Sequence, residues 1–174
     1  ATNFAIKGYV PEHCHVIISD LEHNAVSRPV YALSQRAEVS CSVAHVVEGE
    51  PEQTVRIFER EIRSGYTKAI ITTHASNVFG VIVPVERLYA LCESYGLYLI
   101  IDAAQTAGVL PIDLKKMPNA CLCAAGHKSL YGPTGTGILV AVPGELPQTV
   151  IEGGTGSFSE DLTQPDLLPD RLES

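Results

Sequence analysis

The sequence has 174 residues, 45% of them hydrophobic and 18% charged, which suits a soluble globular domain with a real core. A formal charge of −8 argues against a nucleic-acid surface or an anionic membrane as partner. No apolar run approaches the roughly 20 residues of a membrane span, and no signal peptide is visible, so a cytoplasmic protein is expected.

The elements follow in order. Helical residues run to Lys7, with Gly8 as the expected stop. His15 to Ser19 is a short β-branched strand closed by Asp20, and Asn24 to Leu33 is helical, entered through His23. Val39 to Val47 reads as a strand nearer an edge. Pro51 to Ser64 is an amphipathic helix with Val55, Phe58 and Ile62 on one face, ended by Gly65. Ala69 to Thr73 is a strand, followed by a polar loop from His74 to Gly80. Pro84 opens a helix that closes at Gly96, and Leu97 to Ile101 is a strand closed by Asp102. Ala120 to Ala125 is a buried strand, and a glycine-rich bend separates it from a last apolar run, Ile138 to Val142. From Pro143 to Ser174 glycine, proline and acidic residues dominate, as in an extended surface arm.

Strands alternate with helices, and the strands are continuous apolar runs. That pattern predicts a three-layer α/β/α fold with a mostly parallel sheet covered on both faces. Ligands bind such sheets outside the carboxyl ends of the strands. Those ends deliver Asp20 to His23, His74 to Asn77, Asp102 to Gln105, and His127 with Lys128. Taken singly, each has a bland role: Asp102 caps a turn, His23 opens a helix, Asn77 steadies a loop, Lys128 is a solvated loop lysine. Taken together they put an acid, two amides, an imidazole and an amine on one rim. A lysine at the tip of a buried strand would have a low-dielectric wall behind it, which favours the free amine and imine chemistry. An acid beside a ring nitrogen holds it protonated, the state that makes pyridoxal phosphate an electron sink. The glycines at 132, 135 and 137 do not open a helix after a strand, so a dinucleotide-binding reading has little support.

Five ordered runs carry a resemblance: Asn3-Phe4-Ala5-Ile6-Lys7-Gly8, Glu22-His23-Asn24-Ala25, His74 through Gly80, Asp102-Ala103-Ala104-Gln105, and Gly126-His127-Lys128 through Gly137. The chain resembles the large domain of a class V (fold type I) pyridoxal-phosphate enzyme, most closely the cysteine desulfurase and selenocysteine lyase branch. The resemblance implies that Lys128 bonds the cofactor aldehyde as a Schiff base and later moves the Cα proton. It implies that His23 stacks on the pyridine face and assists as acid or base, with Ala104 on the opposite face. Asp102 would pair with the ring nitrogen, Asn77 and Gln105 would bond the phenolic oxygen, and His127 the phosphate. In part of the family a run like Gly153-Gly154-Thr155-Gly156-Ser157 reaches the partner subunit's site, its threonine bonding that phosphate. Ala125 stands where close relatives often carry a phosphate-donating serine.

The resemblance implies pyridoxal 5'-phosphate as cofactor, no metal, a homodimer, L-cysteine or selenocysteine as substrate with alanine as product, and a sulfur-acceptor protein. A class V aminotransferase would share every residue named, and a non-catalytic scaffold or dimerisation core is the reading of another class. Both ends of the chain read as cut. Residues 1–142 are expected to form the cofactor-binding core and 143–174 an arm toward the dimer interface and a small domain. The family's N-terminal phosphate loop and C-terminal small domain, with its nucleophilic cysteine and carboxylate-binding arginine, are expected to lie outside this sequence, which would leave the fragment inactive alone. The five cysteines (Cys14, Cys41, Cys92, Cys121, Cys123) form no CxxC pair and read as buried thiols, not disulfides or metal ligands.

Overall fold

The computed structural model describes residues 1–36, 39–154 and 163–172. Among them β1 (Cys14–Ser19), β2 (Val39–Ala44), β3 (Thr67–Thr73), β4 (Tyr98–Asp102), β5 (Ala120–Ala125) and β6 (Gly137–Val140) form one sheet in the order β2-β1-β3-β4-β5-β6. The first five strands run parallel, and β6 joins β5 antiparallel. Helices α1 (Thr2–Tyr9) and α2 (Asn24–Gln35) cover one face, while α3 (Pro51–Glu61) and α4 (Val85–Tyr95) cover the other. The three-layer α/β/α architecture with a mixed, mostly parallel sheet is therefore present as expected.

The two cores show why the strands are apolar throughout. Successive side chains in a strand point to opposite faces. Ile17, Ile70, Leu99, Ile101 and Leu122 pack with Phe58 of α3 and Leu88 of α4. Their neighbours Val16, Ile18, Ile71, Ile100, Cys121 and Cys123 pack with Ile6 of α1 and Val26 and Val30 of α2. All six residues of β1 are buried. Both parities must be apolar when helices cover both faces.

Local boundaries differ from expectation where side chains capture backbone groups. Thr67 Oγ1 accepts the Arg63 N–H at 2.8 Å, and the Ile62 backbone turns extended, so α3 stops at Glu61, short of Ser64. β2 stops at Ala44 because the Val46 N–H donates to Asp20 Oδ1 and the Val47 N–H to Thr54 Oγ1, each at 3.0 Å. Gly96 ends α4 in the left-handed conformation that favours glycine. Gly8 does not stop α1. It lies inside the helix, where a Cβ would sit 2.5 Å from Pro147 Cβ, so glycine is needed for close approach of the later chain. There the Gln148 N–H bonds the Gly8 carbonyl at 2.9 Å, and Tyr9 Oη donates to the Glu145 carbonyl at 2.8 Å.

Candidate active site

The loops leaving the carboxyl ends of β1, β3, β4 and β5 surround a cavity of about 400 Å3, within the usual size range of small-molecule sites. Its lining includes His23, Asn77, Asp102, Ala104, Gln105, His127 and Lys128. Seven residues singled out from sequence thus meet in one place. The eighth, Thr155, lies outside the described residues.

Asp102 ends β4 and is 6% exposed. Its Oδ1 accepts the Ala104 N–H at 3.0 Å, the aspartate turn expected of it. The backbone around it is fixed on both sides. His74 N–H donates to the Asp102 carbonyl at 2.9 Å, and Ala103 N–H to the Cys123 carbonyl at 2.7 Å. The sheet therefore fixes the backbone of Asp102, and the turn carrying Ala104 and Gln105 holds its carboxylate.

His23 caps α2, its Nδ1 accepting the Ala25 N–H at 3.1 Å. That bond leaves Nδ1 without hydrogen and puts the proton of the neutral ring on Nε2. The residue that caps α2 thus also lines the cavity.

Asn77 is carried by the loop after β3. Ser76 Oγ accepts the N–H groups of Val78 and Phe79 at 3.3 and 3.2 Å, and the Ser76 N–H bonds the Val81 carbonyl at 2.9 Å. His74, by contrast, turns into the fold, its Nδ1 3.0 Å from Thr106 Oγ1, and burial pushes its pKa down.

His127 and Lys128 stand on the turn directly after β5, and both are exposed. The sequence predicts a low-dielectric wall behind Lys128; among the described residues the side chain is exposed, on the turn that follows the strand end. The turn itself is tightly closed. Gly126 N–H bonds the Thr136 carbonyl at 3.0 Å, Gly132 N–H the Gly126 carbonyl at 2.7 Å, and Tyr131 N–H the Lys128 carbonyl at 2.9 Å. A Cβ at Gly126 would lie 2.3 Å from Thr136 Oγ1, so only glycine lets the two ends of the loop meet.

Sequence reasoning gave no role to Glu22, Thr73 or Thr2. Thr2 and Ala1, at the start of α1, line the cavity, as does Thr73. Glu22 Oε1 accepts the Thr73 N–H at 2.8 Å and bonds Ser19 Oγ, while Oε2 is buried without a partner among the described residues. Burial pushes its carboxyl from an ordinary 4.5 up to about 7, and the Asp102 charge acts in the same direction. The signal available beforehand was a glutamate directly before a helix-capping residue at a strand end.

A doubly covered sheet whose carboxyl edge gathers a lysine, a buried aspartate and an imidazole around one cavity has the form of a ligand-binding α/β domain. The chain belongs to the aminotransferase class-V family, whose model matches residues 1–168. Among curated relatives, a probable cysteine desulfurase of Mycolicibacterium paratuberculosis is 32% identical over 149 residues, 85% of this chain and 21% of that protein. The cysteine desulfurase IscS of Shewanella denitrificans is 35% identical over 144 residues, 79% of this chain and 34% of that protein. A solved structure described as SspA in complex with cysteine is 27% identical with a TM-score of 0.74, covering 88% of this chain and 45% of that one. The apo cysteine desulfurase of Thermococcus onnurineus NA1 shares the fold at a TM-score of 0.74 and 24% identity, over 99% of this chain and 42% of that one. The chain spans about a fifth to two fifths of the length of the curated relatives it matches.

Proposed function

We propose that this chain is the cofactor-binding portion of a pyridoxal-phosphate enzyme that takes sulfur, or selenium, from L-cysteine or selenocysteine and leaves alanine. The observation that carries the reading is that Lys128, Asp102 and His23 open onto one cavity. The names of the relatives, cysteine desulfurases, support the choice of reaction.

The residues present fit the cofactor chemically: a buried carboxylate for a ring nitrogen, side-chain amides for a phenolic oxygen, an amine for an aldehyde. When bound, pyridoxal phosphate supplies an electron sink for negative charge developing at the substrate Cα. Lys128 Nζ would bond the aldehyde carbon and, once displaced by the substrate amine, take the Cα proton. Asp102 would hold the ring nitrogen protonated. His23 would lie against one ring face, presenting Nε2–H, and Ala104 against the other. Asn77 and Gln105 would donate to the phenolic oxygen, and His127 to the phosphate, with Thr155 serving the partner subunit's phosphate in a homodimer.

The sulfur would pass to a thiolate carried on a part of the relatives that this chain does not span, and from there to an acceptor protein. The thiols here are ill suited to that task. Burial pushes Cys92 up to about 12 and Cys41 up to about 11, against the low value a nucleophilic thiol needs.

Reduction with borohydride after adding pyridoxal phosphate, followed by peptide mass mapping, tests the site. A pyridoxyl group on Lys128, lost in Lys128→Ala, is expected; its absence in the unsubstituted chain overturns the reading. For the parent protein, alanine and sulfide from L-cysteine under reductant support the lyase. Keto-acid-dependent amino transfer in their place would make it an aminotransferase.

A further inference from the structure

Glu22 has no task in the chemistry above, yet its carboxyl turns away from water into the junction of three strands. Oε1 takes the Thr73 N–H and bonds Ser19 Oγ, so one side chain joins the end of β1 to the end of β3. Thr73 lines the cavity and is the register partner of Asp102. The next residue in the chain, His23, caps α2 with the same ring that lines the cavity.

An ionised carboxylate here would leave Oε2 dry and unpaired. It would also set a second anion near Asp102, and both effects favour the neutral acid. Among the described residues no cation offsets them. From β1 and β3 the facing groups are the uncharged Ser19 and Thr73, and β4 contributes Asp102. In the turn, Asp20 is already engaged by His45 and the Val46 N–H, and the His23 Nδ1 is committed to Ala25.

We propose that Glu22 is a positioning residue of the cofactor cleft. As an uncharged acid it pins the β1–α2 turn to the end of β3, setting His23 and Asp102 relative to each other. Asp102 is the sole carboxylate on the cavity wall among the described residues, and an uncharged Glu22 sets no second anion near it. The inference deepens the cofactor reading and rests on it.

The test uses the full 174-residue chain with Glu22→Gln, a neutral isostere, and Glu22→Ala. Without ligand, the stability difference between the unsubstituted chain and Glu22→Gln is followed with pH. The difference is expected to shift in favour of Glu22→Gln as pH rises from about 4.5 through about 7, since only the unsubstituted chain must then bury an anion. With pyridoxal phosphate added, the absorbance of the adduct gives affinity. Glu22→Gln is expected within about threefold of the unsubstituted chain near pH 6 and tighter above pH 8, and Glu22→Ala about tenfold weaker near pH 6. A pH-independent stability difference overturns the proposal, as does Glu22→Gln binding as poorly as Glu22→Ala or Glu22→Ala binding as well as the unsubstituted chain. If Glu22→Ala fails to fold, the two Glu22→Gln series decide alone. Failure of the unsubstituted chain to take up pyridoxal phosphate overturns the cofactor reading and the positioning role with it. The ligand-free series tells that outcome apart from failure of the neutral-acid clamp.

Discussion

Thr73 and Asp102 form the last register pair between β3 and β4, and each is tied from outside that pair. Glu22 accepts the Thr73 N–H, while the residue after Asp102 donates to the Cys123 carbonyl on β5. The sheet thus fixes the Asp102 backbone, and the turn after it holds the carboxylate through the Ala104 N–H.

Asp102→Asn keeps the volume and the turn-capping oxygen while removing the charge. The fold is expected to survive, with a melting temperature close to that of the unsubstituted chain. Under the proposed reaction, alanine formation should fall by about a hundredfold or more, the scale seen when one preorganised electrostatic partner is removed. A spectral change of the bound cofactor should accompany that loss, and full activity in the asparagine variant would contradict the role given to Asp102.

Gly126→Ala places a methyl 2.3 Å from Thr136 Oγ1 and 3.1 Å from Thr136 Cβ. Overpacking of this kind costs about 1–3 kcal/mol. The expected result is a lower urea midpoint together with weaker pyridoxyl labelling at Lys128, because the strained turn carries that lysine. Adding Thr136→Ala removes the nearest atom and should restore part of both losses.

His15 and His74 each lower stability as the medium turns acid, against the opposite contribution of Glu22. His15 is fully buried, with Nδ1 2.8 Å from Thr67 Oγ1 and Nε2 3.0 Å from Ser42 Oγ, and burial lowers the pKa of both histidines. Each is favoured neutral in the folded chain and gains a proton more readily on unfolding. Their contribution is present above an ordinary value of 6.5 and is lost as pH falls below it. Glu22 acts with the opposite sign over the same range, so the readout is a difference: from about pH 6.5 to 5 the urea midpoint of the unsubstituted chain should fall relative to that of His15→Gln. An unchanged acid limb in the variant would remove His15 from the account.

The thiols should be inert in the folded chain. Burial raises Cys14, Cys41 and Cys92, and the bond to Cys123 together with burial raises Cys121. Alkylation near neutral pH, read by mass spectrometry, should modify all five in denaturant and leave Cys14, Cys92 and Cys121 unmodified without it. Fast native labelling of any of these three would reopen the assignment of the sulfur-accepting thiol.

Much of the fold was legible because two-sided burial forces apolar residues onto both parities of a strand, as in Val16, Ile17 and Ile18. Ala120 to Ala125 was bounded correctly on that ground alone. Boundaries slipped where a distant hydroxyl or carboxylate took a backbone N–H, as Thr67 does for Arg63 and Asp20 for Val46. Gly8 was misread because a helix-stopping glycine and a glycine needed for close approach look alike in sequence. Only the packing of Pro147 against it separates the two.

The amino-acid sequence by itself determined which chemical groups leave the carboxyl ends of the strands, since periodicity and strand-end composition are local properties. Tertiary structure alone decided the strand order, the antiparallel placement of β6, the exposure of Lys128 and the dry carboxyl of Glu22. Each of these depends on which distant segments meet. Desolvation and hydrogen-bond partnership are properties of that meeting and not of any residue taken alone.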